Sequence, residues 1–153
     1  MTPNERFVFD TNVLVSALLF AESKPAHAFF TAQRRGTILT SLAALHELRD
    51  VLYRKKLDKY LTNAEREAFL DQYAQTVVTI EIMETIQVCR DPTDDKFLEI
   101  ATNGFTTCVI TGDPDLLALH PFRNIPIVSP DTFLAIVAPG AADGTIDDTT
   151  LNT

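Results

Sequence analysis

Apolar and polar positions fall into two alternating rhythms along this chain. Short apolar runs, RFVF at 6–9, TILT at 37–40, TTCVIT at 106–111 and IPIV at 125–128, read as buried strands. Between them, helices are marked by their end signals. NVLVSALLF at 12–20 continues the first run as an apolar helix, although its valines also suit a strand. Pro25 opens AHAFFTAQRR and Gly36 closes it, the usual asymmetry of helix ends. Ser41 is placed to cap a helix through LAALHELRDVLYRKK, and Thr62 with Glu65 forms a capping-box pattern ahead of a helix to about Thr76. VVTIEI and TIQVC read as strand or extended chain, and RDPTDD as a loop into the helix DKFLEIAT, which Asn103 and Gly104 end. DPDLLAL and DTFLAIV complete the series as short helices. Strands alternating with helices predict a mostly parallel sheet covered on both faces, a three-layer α/β/α fold.

Composition adds limits. The chain has 153 residues, 46% of them hydrophobic, enough for one core. One domain over 1–138 is expected, followed by an acidic tail, 139–153, without apolar periodicity and so expected to be disordered. No apolar run reaches about 18 residues, and the first ten residues lack a secretory pattern. A cytoplasmic protein is the expectation. Cys89 and Cys108 lie in apolar segments without a CxxC or a Cys/His cluster, which favours reduced, buried thiols over a disulfide or a zinc site. His27, His46 and His120 show no metal-ligand spacing.

The net charge of −8 argues against a broad basic surface for nucleic acid. Three of those charges sit in the tail, at Asp143, Asp147 and Asp148. The rest bear on partners only if they are dispersed, because acids converging on a cation are neutralised in the working state.

Four acids can converge. Asp10 interrupts the apolar junction between the first strand and its helix, and Asp113 stands in the same relation to TCVIT. In an open parallel sheet, the crevice beyond the carboxyl ends of the strands is where ligands bind. Glu47 borders the stripe Leu42, Leu45, Leu48 and Leu52, with Val51 one turn on. Asp94 shares a helical face with Phe97, Leu98 and Ala101, while Asp95 lies about 100° round. Singly, each acid also fits an N-cap or a solvated surface position. Together in one cleft they would repel, and their pKa values would rise unless a cation were present. Hard oxygen donors of this kind suit Mg²⁺ or Mn²⁺. Such an ion turns water into a nucleophile and clamps phosphodiester oxygens, so the chemistry suggested is phosphodiester hydrolysis.

In this order, FVFDTNVLVSALL, SLAALHELRDVL, RDPTDDKFLEIA and VITGDPDLLAL followed by IPIVSPDTFL resemble the four motifs of the PIN domain, and more closely its toxin-like bacterial and archaeal group. The likeness runs from about Arg6 to Val137. It implies a Mg²⁺- or Mn²⁺-dependent ribonuclease, in many members the toxin of a VapBC-type toxin–antitoxin pair. It further implies Asp10, Glu47, Asp94 and Asp113 as metal-binding acids, with Asp94 preferred to Asp95 because an apolar residue follows at +3 and Ala at +7. Thr11, Asn12, Asp95, Thr111 and Asp115 become supporting polar residues. An antitoxin partner and a homodimer are expected on the same ground. DDKFLE departs from the small residues that follow the third acid in better-known VapC toxins, so site width and substrate can differ.

Arg49, Arg54, Lys55, Lys56 and Lys59 fall within eleven residues on or beyond the Glu47 helix, a candidate phosphate-binding surface for RNA. Two other readings compete. A haloacid-dehalogenase-type phosphatase also has Asp after its first strand, but needs a second Asp where this chain has Asn12. A non-catalytic PIN scaffold binding RNA or an antitoxin peptide would not require all four acids.

Overall fold

The computed structural model describes residues 5–138. Five strands, β1 (Arg6–Phe9), β2 (Thr37–Thr40), β3 (Val78–Thr79), β4 (Cys108–Ile110) and β5 (Ile127–Val128), form one all-parallel sheet in the order β3-β2-β1-β4-β5. Seven α-helices accompany it among the described residues: α1 (Thr11–Leu19), α2 (Lys24–Arg35), α3 (Leu42–Leu52), α4 (Asn63–Thr76), α5 (Asp95–Asn103), α6 (Pro114–Leu117) and α7 (Pro130–Ile136). The expected three-layer α/β/α fold is what forms. Residues 139–153, the expected acidic tail, lie outside the described residues.

Side-chain alternation along the strands divides the core in two. Phe7, Phe9, Ile38, Cys108, Ile110 and Val128 face one way, into a core closed by α1, α2, α3, α4 and α7. Val8, Leu39, Val109 and Ile127 face the other, against α5, α6 and the segment around Ile80–Ile86. Phe7 meets Phe133 of α7 edge-on with 5.4 Å between ring centroids, and Phe9 meets Phe29 of α2 at 5.7 Å. No single described helix is long and apolar enough to cross a membrane.

Most helix starts follow the sequence signals. Ser41 Oγ accepts from Ala44 N–H, Ser23 Oγ from Ala26 N–H, and the Thr62–Glu65 capping box closes in both directions. Four details differ from expectation. The helix begun at Leu42 ends at Leu52, and Lys55–Leu57 form a separate 3₁₀ turn. Leu42 is exposed, so the inward face of α3 is Ala44, Leu48, Val51 and Leu52. Only Val78–Thr79 of the stretch 77–89 pairs as strand, because its remaining backbone crosses over α5 instead of lying beside β2. Gly36 and Gly104 do end helices, yet neither uses a left-handed conformation, and that one falls to Phe105 at φ 52°. Gly36 is required by proximity: a Cβ there would lie 2.1 Å from the carbonyl oxygen of Glu5.

Arg66 closes the turn that replaces the end of the predicted helix. Nearly solvent-free, it donates from Nε to the Leu52 carbonyl at 2.5 Å and from its two terminal nitrogens to Asn63 Oδ1 at 3.0 Å and Asp58 Oδ1 at 2.8 Å. One guanidinium thus satisfies a free carbonyl at the end of α3 and ties it to the start of α4. Arg66→Ala should cost about 2–3 kcal/mol in denaturant unfolding, since it strands a buried acceptor. Asp58→Ala should cost less than about 1 kcal/mol, because that carboxylate is mostly solvated. Equal losses would show that the ion pair, not the carbonyl bond, holds the turn.

Candidate functional site

Strand β1 lies between β2 and β4, the connections leaving β1 and β4 depart to opposite faces, and a crevice opens at the carboxyl ends of these two strands. Asp10 stands at that point. It is buried, and its Oδ1 accepts from Val13 N–H at 2.9 Å as the N-cap of α1. Its Oδ2 accepts from the Thr111 hydroxyl just beyond β4. The same hydroxyl oxygen accepts from Asp113 N–H at 3.0 Å. Thr111, fully buried, therefore joins the ends of two strands and places both acids. Burial pushes the Asp10 carboxyl above its usual range, helped by the charge of Asp113, while the Thr111 hydroxyl and the Val13 and Gly112 N–H groups oppose the rise.

Asp113 caps α6, its Oδ1 accepting from Asp115 N–H at 2.9 Å. Facing it is Asp94, at the junction of the 3₁₀ turn Pro92–Asp94 with α5. The Asp94 carboxyl is pushed up to about 6, first by burial and then by sharing a hydrogen bond with Asp113 and feeling its charge. Asp95 turns elsewhere. More deeply buried than Asp94, it accepts from Val88 N–H at 3.1 Å and Cys89 N–H at 2.8 Å. Desolvation acts to raise its pKa, but these bonds prevail and hold it below the usual carboxylate range. Asp95 is thus an anchor for the segment crossing α5, a correction to its expected supporting place, and Asp94 is the acid that meets Asp113.

Glu47 is the sixth residue of α3. Its Oε2 is shut off from solvent and lies 2.6 Å from Lys96 Nζ on α5, off the axis of a hydrogen bond, so the contact is one of charge. Lys96 also lies close enough to Asp94 to lower its pKa. Among the described residues no three acid, His or Cys side chains are disposed as they stand to hold a metal ion. The donor chemistry nevertheless fits one: the Asp94 and Asp113 carboxyl groups face each other, and Glu47 Oε2 has no hydrogen-bond partner.

Beside Asp113 an open cleft of about 600 Å³ is lined by Asn12, Ser16, Lys24, Gly112 and Ser129, among others. Thr11 is buried in the first turn of α1, and Asp115 contributes its backbone to the Asp113 cap while its side chain is exposed. A smaller apolar hollow of about 290 Å³, between α1, α2 and α4, has no acidic lining residue. Of the basic stretch, Arg49 is paired with Glu67 at 2.9 Å and Lys59 covers the Tyr60 ring at 5.1 Å, whereas Arg54, Lys55 and Lys56 are exposed. Lys55 and Lys56 lie past the end of α3, in the separate 3₁₀ turn.

A family model described as PIN domain matches residues 6–115. The chain belongs to the PIN domain family. That membership sets aside the haloacid-dehalogenase alternative. The chain is 33% identical over 117 residues to the uncharacterized protein MJ1680 of Methanocaldococcus jannaschii, a match spanning 75% of each. Two solved structures share its fold. VapBC2 from Rickettsia felis, crystallised bound to a DNA fragment from their promoter, superposes with a TM-score of 0.57 and 13% identity over 81% of this chain and 98% of that one. PAE2754 from Pyrobaculum aerophilum gives 0.57 and 16% over 86% and 88%.

The Asp94–Asp113 pair sets a pH dependence of the metal-free protein. A carboxyl raised from 3.8 to about 6 on folding binds more protons folded than unfolded, so its contribution to stability falls as pH rises through that window. Asp94→Asn should therefore melt above wild type near pH 7, and the gain should vanish as pH drops towards about 4. A gain that persists unchanged at the acid end would separate Asp94 from this titration.

Proposed function

We propose that this PIN domain is a metal-dependent endoribonuclease that hydrolyses RNA phosphodiester bonds, with Mg²⁺ or Mn²⁺ held by Asp10, Glu47, Asp94 and Asp113. The observation that carries the reading is the mutual approach of Asp94 and Asp113 beside the buried Asp10, all at the point where the sheet changes direction. Like charges are not brought together in a half-buried cleft for stability.

When bound, the ion supplies an activated water and charge compensation on the phosphate. The chain's own groups do the positioning. Thr111 and Val13 N–H fix the orientation of the Asp10 carboxylate, and the Asp115 N–H fixes that of Asp113. Asn12, Lys24 and Ser129 line the cleft through which an RNA strand would pass Asp113. Arg54, Lys55 and Lys56, with Arg49 and Lys59 once freed from their local partners, would take more distant phosphates without reading sequence. The VapBC2 likeness and the toxin-like motifs support a toxin role, with an antitoxin protein as partner and a homodimer as the working form.

Asp10→Asn keeps the size and one of the two hydrogen-bond acceptors, and removes the charge. Cleavage of single-stranded RNA in Mn²⁺ should fall by at least about 100-fold, as EDTA should also achieve, with the melting temperature held or raised. Cleavage that survives both would come from a contaminant and favour the non-catalytic scaffold.

A further inference from the structure

Lys96 is a cation inside a cluster of acids. Its side chain is 16% exposed and that of Glu47 29%, so the pair is largely withdrawn from water. The ammonium is held from three sides: by Glu47 Oε2, by the Thr93 carbonyl one turn back, and by the Phe97 ring 5.4 Å away. Among the ion pairs of the described residues, this alone involves one of the four proposed ligands. Glu47 Oε2 in turn has no other polar partner, so the lysine sets where that carboxylate points.

We propose that Lys96 is a positioning residue that acts through Glu47: its ammonium is the resident countercation of that carboxylate, and a divalent ion must displace it to recruit Glu47. The inference rests on the metal-dependent reading above. Two consequences follow from charge. The lysine holds the Glu47 carboxylate against α5 while no ion is bound, and the same ammonium offsets the charge of Asp94. It also competes with the ion for Glu47, which weakens metal affinity and makes it tunable without touching a ligand.

The test measures Mn²⁺ binding to the purified full chain by titration calorimetry, apart from activity. Lys96→Met keeps the stem over Phe97 and removes the charge. It should tighten Mn²⁺ roughly three- to tenfold, the worth of one partly solvated ion pair. Lys96→Arg keeps the charge and should bind as wild type. In a Glu47→Gln background, Lys96→Met should change affinity little, because the carboxylate for which lysine and metal compete is gone. Unchanged or weaker binding in Lys96→Met beside normal Lys96→Arg overturns the proposal and leaves the metal site standing. An equal gain in the Glu47→Gln background overturns action through Glu47. Absence of Mn²⁺ binding in wild type sinks the metal-dependent reading and this inference with it.

Discussion

A single hydroxyl, that of Thr111, links the two strand ends on which the site is built. It donates to Asp10 Oδ2 and accepts from Asp113 N–H, so the acid after β1 and the acid after β4 are located relative to one another by one buried side chain. Buried polar groups must be paired, and here the pairing defines geometry as well as satisfying donors and acceptors. A valine of the same size would leave Asp10 with one partner fewer and Asp113 N–H without any given to it. The parallel register of β1 and β4, Phe9 opposite Ile110, delivers both strand ends to the same height for that bond to form.

The sheet explains why Asp10 and Asp113 meet at this edge. Its strand order places β1 centrally, with β2 and β3 on one side and β4 and β5 on the other. Connections leaving β1 and β4 depart to opposite faces, α1 to one core and α6 to the other, and the backbone between them separates into a cleft. Strand interiors are apolar on both faces, as expected of parallel sheets. Polar groups are left for the strand ends, where Asp10, Thr40, Ser41 and Thr111 are all buried.

Legibility in the sequence followed the range of the interaction. Strand runs, N-caps and the capping box are local, and they stand where the residues indicated. The places of Asp10 and Asp113 are legible because each follows an apolar strand and opens a helix. Choosing between Asp94 and Asp95 was harder, since helical periodicity gives a facing direction but not the neighbour. It pointed Asp94 towards the core, yet Asp95 is the deeper of the two, drawn in by the backbone of Val88 and Cys89 across α5. The roles of Arg66 and Lys96 are not legible in the sequence for the same reason. Each looks like an ordinary base on a helix, and its role depends on a carbonyl or a carboxylate brought in from another helix. The signal for Lys96 was a base inside an acid-rich motif, PTDDKFLE, and for Arg66 there was none.

The four acids differ in how the fold tolerates them. Asp10 and Asp113 sit at helix starts and take backbone N–H groups that those helices leave free, a use of the helix N-terminus that stabilises a carboxylate without a counter-charge. Asp94 stands at the start of α5 but makes no capping bond, and burial together with the facing charge of Asp113 pushes its carboxyl up to about 6. Glu47 has none of these. It lies in the middle of α3, where every backbone N–H is already committed to the helix, so only a side chain can compensate it. A lysine on the neighbouring helix supplies that compensation, and a flexible four-carbon stem can withdraw where a backbone N–H cannot. Of the four acids, Glu47 is therefore the one compensated by a flexible side chain from another helix, while Asp10 and Asp113 are held by backbone at the strand ends.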